Sequence, residues 1–201
     1  MPDLILASSS PRRRELLQEA GYQFTIESPS EDAEPETIEG LSPTELVAEL
    51  ARLKAIDVAQ RLAASGQGAD SLVLAADTVA ECDGRVLGKP KDENHAREML
   101  SWLSGREHLV LTGICLMTPD NPQPLAGEVV VTQLVMSPLE EDWLEPFLAT
   151  GGWRGKAGAF GFQDGLAFVR ILNGSASNVV GLPMERVTQL LGELGCHPTA
   201  G

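Results

Sequence analysis

Long apolar runs, paired cysteines and positive charge are what this 201-residue chain has least of. No apolar stretch approaches the 18 residues that argue for a membrane-crossing helix. The chain opens straight into a strand-like segment, without the basic and then apolar stretches of a secretory leader. Its three cysteines, Cys82, Cys115 and Cys196, are odd in number and contain no C-x-x-C, and His95, His108 and His197 contain no H-x-x-x-H. A disulfide framework and a dedicated zinc site are both disfavoured. The expected setting is therefore a soluble protein of a reducing cytoplasm. Lysine and arginine total 15 against 29 aspartates and glutamates, for a net charge of −14. Such a balance argues against nucleic-acid binding and against docking on an anionic membrane. It also makes any local cluster of cations informative.

What is present is a globular composition, 43% hydrophobic, with strand and helix signals in alternation. The length fits one domain of ordinary size or two small lobes. Strands are predicted over residues 4–7, 22–27, 72–77, 107–117, 126–136 and 166–172. Helices are predicted over 11–20, 42–63, 92–103, 139–149 and 183–194, with Pro146 kinking or shortening the fourth. A hairpin over 78–87 turns at Asp83-Gly84. The acidic, proline-bearing stretch 28–41 reads as a mobile loop. The fold class is α/β or α+β with a mixed, twisted sheet.

Four stretches combine charge with geometry. In "ASSSPRRRELL" (7–17), Ser10 stands as a helix N-cap and Pro11 fits the first helical position. Arg12, Arg13 and Arg14 then crowd the positive end of the helix dipole, where each cation costs roughly 0.3–1 kcal/mol. Hydroxyls of Ser8, Ser9 and Ser10 beside free helix N–H groups make an anion site, and a polyphosphate there would remove the repulsion of Arg12 and Arg13. Arg14 is expected to face solvent. In "AADT" (75–78), Asp77 closes a continuous apolar strand, so it either sits at a sheet edge able to orient water or hold Mg²⁺, or caps the next turn. Lys54 falls within the apolar stripe of the 42–63 helix, among Val47, Leu50, Ala51, Val58 and Leu62. It either snorkels to the rim or points into a site. In "GKPKD" (88–92), Pro90 fixes the direction of Lys89, and Asp92 is the expected N-cap of the next helix.

The glycine-rich "GGWRGKAGAFGFQDG" (151–165) is not a Walker A loop, because the G-x-x-x-x-G-K-[ST] spacing fails and Ala157 occupies the hydroxyl position. It is a loop whose backbone can approach a ligand closely, with Lys156 and Gln163 within it. Gln163 offers both a donor and an acceptor to a base edge.

In order along the chain, "LILASSSPRRRELL", "LARLKA", "LAADTV", "GRVLGKPKD", "MLSWLSGREHLVLTGI", "GKAGAFGFQ" and "NGSASNVVGLPMERV" resemble the Maf proteins, also called septum formation inhibitor proteins. The likeness runs from about residue 3 to 194 and treats residues 1–201 as a single domain of two lobes around a cleft, with no separable linker. It implies a fold akin to the inosine-triphosphate pyrophosphatases. It also implies a metal-dependent attack of water on the α-phosphorus of a nucleoside triphosphate, releasing the monophosphate and pyrophosphate. By the resemblance Asp77 is the general base, and Asp77 and Asp32 are the carboxylates that hold a divalent cation, Mg²⁺ or Mn²⁺. Ser8, Arg12, Arg13, Lys54 and Lys89 hold the triphosphate, while Thr78 and Gln163, with Arg12, sort substrates. "SPRR" and "GKAGAFGFQ" point to the branch that acts on dTTP and UTP. The nearer alternative is the 7-methyl-GTP branch, and a nucleotide-binding regulator of cell division with little turnover is the more distant one. Gly152-Trp153 and Gly155 depart from the Glu-Pro pair and Asp that the branch usually carries there; Trp153 either stacks on a base or covers the lobe interface. The resemblance also implies a cytoplasmic homodimer whose partner is a small nucleotide rather than nucleic acid or membrane.

Overall fold

A computed structural model describes residues 2–35, 38–68, 70–121, 123–162 and 168–199. The described chain forms seven strands: β1 Asp3–Ala7, β2 Phe24–Ile26, β3 Ser71–Cys82, β4 Arg85–Leu87, β5 Glu107–Met117, β6 Ala126–Met136 and β7 Val169–Asn173. The helices are α1 Pro11–Glu19, α2 Pro43–Ala64, α3 Glu93–Leu103, α4 Glu141–Thr150, α5 Ala176–Val180 and α6 Met184–Glu193. Among the described residues, no helix is long and apolar enough to cross a membrane. The strands share one sheet in the order β2-β1-β3-β5-β6-β7, with β4 paired to β3. β1 runs parallel to both β2 and β3, whereas β3/β4 and β6/β7 are antiparallel, so the sheet is mixed as expected.

Local chemistry accounts for most boundaries. Ser42 and Glu45 close a reciprocal capping box on α2, with Pro43 in the first turn. Asp92 Oδ1 accepts from His95 N at 2.8 Å and so caps α3. Asp83 and Gly84 both adopt positive φ, 52° and 79°, as a two-residue type I′ turn between β3 and β4 requires. α4 continues through Pro146 to Thr150 and ends on Gly151 in the left-handed conformation. The short helix α5 went unpredicted.

The chain divides into two compact units, and β3, β5 and β6 each contribute to both. The first unit comprises the residues up to Asp77, Thr112–Val130 and the residues from Gly181 onward. Its strands alternate strictly between two cores. Leu4, Leu6, Leu72, Leu74, Ile114 and Leu116 face Leu17 of α1 and Val187 and Leu191 of α6. Ile5, Ala7, Val73, Ala75, Cys115 and Met117 face the alanine-rich side of α2, which carries Ala51, Ala55 and Ala59. This burial on both faces explains why "LVLAA" reads as a continuous apolar run.

The second unit comprises Thr78–Leu111 and Val131–Val180. Its core joins Met99, Leu100 and Leu103 of α3 to Leu144 and Leu148 of α4, and to Trp153 and Phe160 of the glycine-rich segment. Asn178, fully buried on α5, donates from Nδ2 to Val110 O at 3.1 Å and to Thr132 Oγ1 at 2.9 Å, tying α5 to β5 and β6.

Candidate active site

β1 leaves the sheet at Ala7, in register with Ala75, while β3 runs on past Asp77 to Cys82. Asp77 therefore lies within a strand rather than at its end, contrary to the sequence expectation. The open edge beside it arises because β1 stops, and antiparallel pairing with β4 begins only at Ala80. The apolar run breaks at Asp77 because burial on both faces relaxes there, not because the strand terminates.

The turn that follows β1 is wound on one hydroxyl. Ser8 is buried, and its Oγ accepts from Ser10 N at 3.2 Å and from Arg13 Nη1 at 3.0 Å. Ser10 occupies the N-cap position of α1 with Pro11 behind it, as expected, but its side chain makes no capping bond. Arg13 turns inward and also donates from Nε to Gly181 O at 2.8 Å. Burial and the neighbouring Arg12 lower the pKa of Arg13, against the opposing pull of Asp77 and Glu34. Arg12 is half-buried, and Arg14 is exposed, facing solvent as expected.

Lys54 does not snorkel. Its side chain is 5% exposed, and Nζ lies 2.6 Å from Asp77 Oδ1 and 2.8 Å from Glu34 Oε1. A long-stemmed ammonium is thus held between two carboxylates from a strand and a loop. Glu34 was not among the sequence candidates; Asp32, which was, is exposed. The segment holding Glu34 was expected to be mobile, yet it contains a 3-10 turn over Glu31–Ala33 with Ala33 buried. No short-range signal in the sequence marks Glu34, because its partner Lys54 lies on α2.

In the first unit Ser8 and Arg13 thus meet in one contact, and Lys54, Glu34 and Asp77 meet in another. Thr78, half-buried, follows Asp77 in β3 but belongs to the second unit. Lys89, exposed after β4, also belongs to the second unit. There Gly158 N donates to Gly88 O at 3.1 Å, fastening the glycine-rich loop beside Lys89. Gln163 lies outside the described residues. Trp153 is buried in the second unit's core, with Nε1 donating to Leu148 O at 3.0 Å. Its face carries the Arg154 guanidinium, 4.7 Å from the ring centre. This indole is a core residue and not a platform for a base.

The site combines hard oxygen donors with a concentration of cations. Glu34 and Asp77 suit a hard divalent cation, which is commonly held by one or two carboxylates together with substrate phosphates. Among the described residues no group of three or more His, Cys, Asp or Glu gathers anywhere, so a self-sufficient protein cage is not formed there.

The fold is similar to that of a HAM1 protein from Coxiella burnetii, with a TM-score of 0.52 at 19% identity over 96% of this chain and all of that one. Residues 3–194 match the sequence profile of the family described as Maf-like protein, and the chain belongs to that family. It is 49% identical over 189 residues to a dTTP/UTP pyrophosphatase from Rhodopirellula baltica, covering 94% of this chain and 80% of the relative. A dTTP/UTP pyrophosphatase from Chelativorans sp. is 45% identical over 191 residues, covering 94% and 89%. One from Pelotomaculum thermopropionicum is 41% identical over 197 residues, covering 97% and 98%.

Proposed function

We propose that this protein is a nucleoside triphosphate pyrophosphatase that converts dTTP and UTP to the monophosphate and pyrophosphate. The observation that carries the reading is the Lys54–Asp77–Glu34 cluster beside the arginine-bearing start of α1, in a chain whose relatives carry that activity by name.

Asp77 is the general base in this reading. Lys54 holds its Oδ1, which fixes the carboxylate's orientation and leaves Oδ2 to take a proton from the attacking water. Arg12 and Arg13, on a turn shaped by Ser8, neutralise the triphosphate at the start of α1, and Lys89 serves the leaving pyrophosphate. Thr78 and Gln163, with Arg12, sort the base. Asp77 and Glu34, rather than Asp32, would hold Mg²⁺ or Mn²⁺. When bound, such a cation neutralises the charge that develops on the phosphates as the anhydride breaks. The protein acts as one domain of two units, as a cytoplasmic homodimer, on a small nucleotide and not on nucleic acid or membranes.

The test is pyrophosphate release across the standard triphosphates, 7-methyl-GTP and modified pyrimidine triphosphates, with Mg²⁺ or Mn²⁺, beside Asp77→Asn. Preference for dTTP and UTP, abolished in Asp77→Asn, is the expected result. No hydrolysis of any triphosphate, or full rate in Asp77→Asn, would overturn the reading.

A further inference from the structure

The segment that carries Glu34 is fastened to α2 by a carboxylate outside the cluster. Asp57 lies three residues beyond Lys54 on α2, about 4.5 Å further along the helix axis. Its Oδ2 accepts from Ser30 N at 2.9 Å and its Oδ1 accepts from Ser30 Oγ at 2.8 Å. One turn further, Arg61 donates to Ser28 O at 2.6 Å and to Asp57 Oδ2 at 3.2 Å. Both oxygens of Asp57 are thus committed to the loop, and its side chain is only 19% exposed.

Ser30 is also where the 3-10 turn starts. Its carbonyl accepts from Ala33 N at 3.1 Å, and Glu34 N donates to Glu31 O at 3.1 Å. Anchor and cargo are therefore joined by a hydrogen-bonded turn: Ser30 sits on Asp57, and four residues later Glu34 sits on Lys54. Besides Asp57, this stretch is tied down by Arg61 on Ser28 O, by Lys54 on Glu34 and by the burial of Ala33. Glu31, Asp32 and Glu34 crowd like charges into four residues, and of residues 28–35 only Ala33 is buried. Charge-assisted bonds from a backbone amide and a hydroxyl to one carboxylate are the strong kind.

We infer that Asp57 is a positioning residue: by gripping Ser30 it sets Glu34 beside Lys54 and so completes the carboxylate pair of the cation site. The inference rests on the cation role proposed above for Glu34 and Asp77. Asp57 acts through Glu34 and is not itself placed on substrate or metal.

The experiment compares full-length Asp57→Ala, Ser30→Ala and the double variant with the parent protein. Three quantities are read: amide exchange at Ala33 and Glu34, Mn²⁺ affinity of the nucleotide-free protein, and the metal dependence of pyrophosphate release with kcat and KM resolved. In Asp57→Ala, exchange at the two amides rises about tenfold, because local opening is opposed by fewer bonds. Mn²⁺ affinity falls about tenfold, as for loss of a partner that orients a metal ligand. The loss of activity lies in the metal requirement and not in kcat at saturating metal. Ser30→Ala, which keeps the amide bond and the surrounding packing, moves the same quantities less, and the double variant matches Asp57→Ala because both act on one contact.

Unchanged amide exchange in Asp57→Ala would overturn the inference, as would unchanged Mn²⁺ affinity in a loosened segment. Should Asp57→Ala unfold, Ser30→Ala decides by the same two measurements. If the parent protein releases no pyrophosphate, the functional reading fails, while exchange and Mn²⁺ titration still judge Asp57.

Discussion

Lys54, midway along α2, places its ammonium 2.6 Å from Asp77, a residue 23 positions away in the interior of β3. Neither residue declares the other locally. The pair exists because the alanine face of α2 packs against β1 and β3, bringing a lysine in an apolar stripe over the point where β1 ends.

Removing either partner separates stability from chemistry. Lys54→Met leaves two carboxylates facing each other and is expected to cost about 3 kcal/mol, near the low end for a broken buried pair, because Glu34 is a third exposed. Asp77→Asn keeps the shape and is expected to lower kcat by roughly 10²–10⁴-fold, the usual contribution of a positioned acid or base. Denaturant unfolding and pyrophosphate release measure the two effects.

The three arginines of α1 are expected to respond differently. Arg13→Ala removes charged donors from Ser8 Oγ and Gly181 O, and is expected to cost about 2 kcal/mol. Arg12→Ala relieves crowding at the helix start and leaves the fold intact, while raising KM and lowering kcat. Arg14→Ala, at an exposed position, leaves both unchanged. Thermal melts and steady-state kinetics on the three variants distinguish these outcomes.

A methyl group at Gly113 is expected to push α2 off the sheet. A Cβ there would lie 2.2 Å from Val47 O and 2.5 Å from Val47 C, both backbone atoms of α2 that cannot rotate away. Gly113→Ala should destabilise the protein by about 3 kcal/mol, the upper part of the range for overpacking, and chemical denaturation reads it directly.

His108 gives a signed pH dependence. Burial lowers its pKa from the ordinary 6.5, outweighing the support of the Arg106 carbonyl. The unfolded chain therefore binds a proton that the folded chain resists. Stability contributed by neutral His108 is complete above about pH 6.5 and declines as pH falls toward the lowered folded pKa, with a slope of at most about 1.4 kcal/mol per pH unit. The difference in unfolding free energy between the parent and His108→Gln, measured from pH 8 to 5, isolates this slope from that of the carboxylates.

Much of the fold was legible because its signals are local. Residues 107–117 and 126–136 are strands β5 and β6 with the bounds their apolar pattern predicts, and the turn at Asp83-Gly84 and the cap at Asp92 follow from single-residue preferences. The same locality explains the errors. Asp77 looked like a strand end because hydrophobicity reports burial, and burial slackens where β1 departs even though β3 continues. The stretch around Glu34 looked mobile because its acidic composition reveals nothing of Asp57, an anchor 27 residues from Ser30. Trp153 was open to two readings because a tryptophan among glycines does not show which core will receive it.

The sequence by itself determined the alternation of strands and helices, the arginine-loaded start of α1, the place of Lys54 within the apolar stripe of its helix and the Maf family. Those properties depend on spacing between near neighbours or on ordered motifs. Only the tertiary structure decided that Lys54 is shared by Asp77 and Glu34, that Asp32 is exposed, and that Arg13 is spent partly on Ser8 and Gly181. The Lys54 pairs and the Arg13–Gly181 bond join residues far apart in sequence, and even the short-range Arg13–Ser8 bond depends on how the turn after β1 is wound. Their geometry is set by where β1 stops, how closely α2 lies on the sheet, and which loop is tied down, none of which is encoded in the few residues around the site.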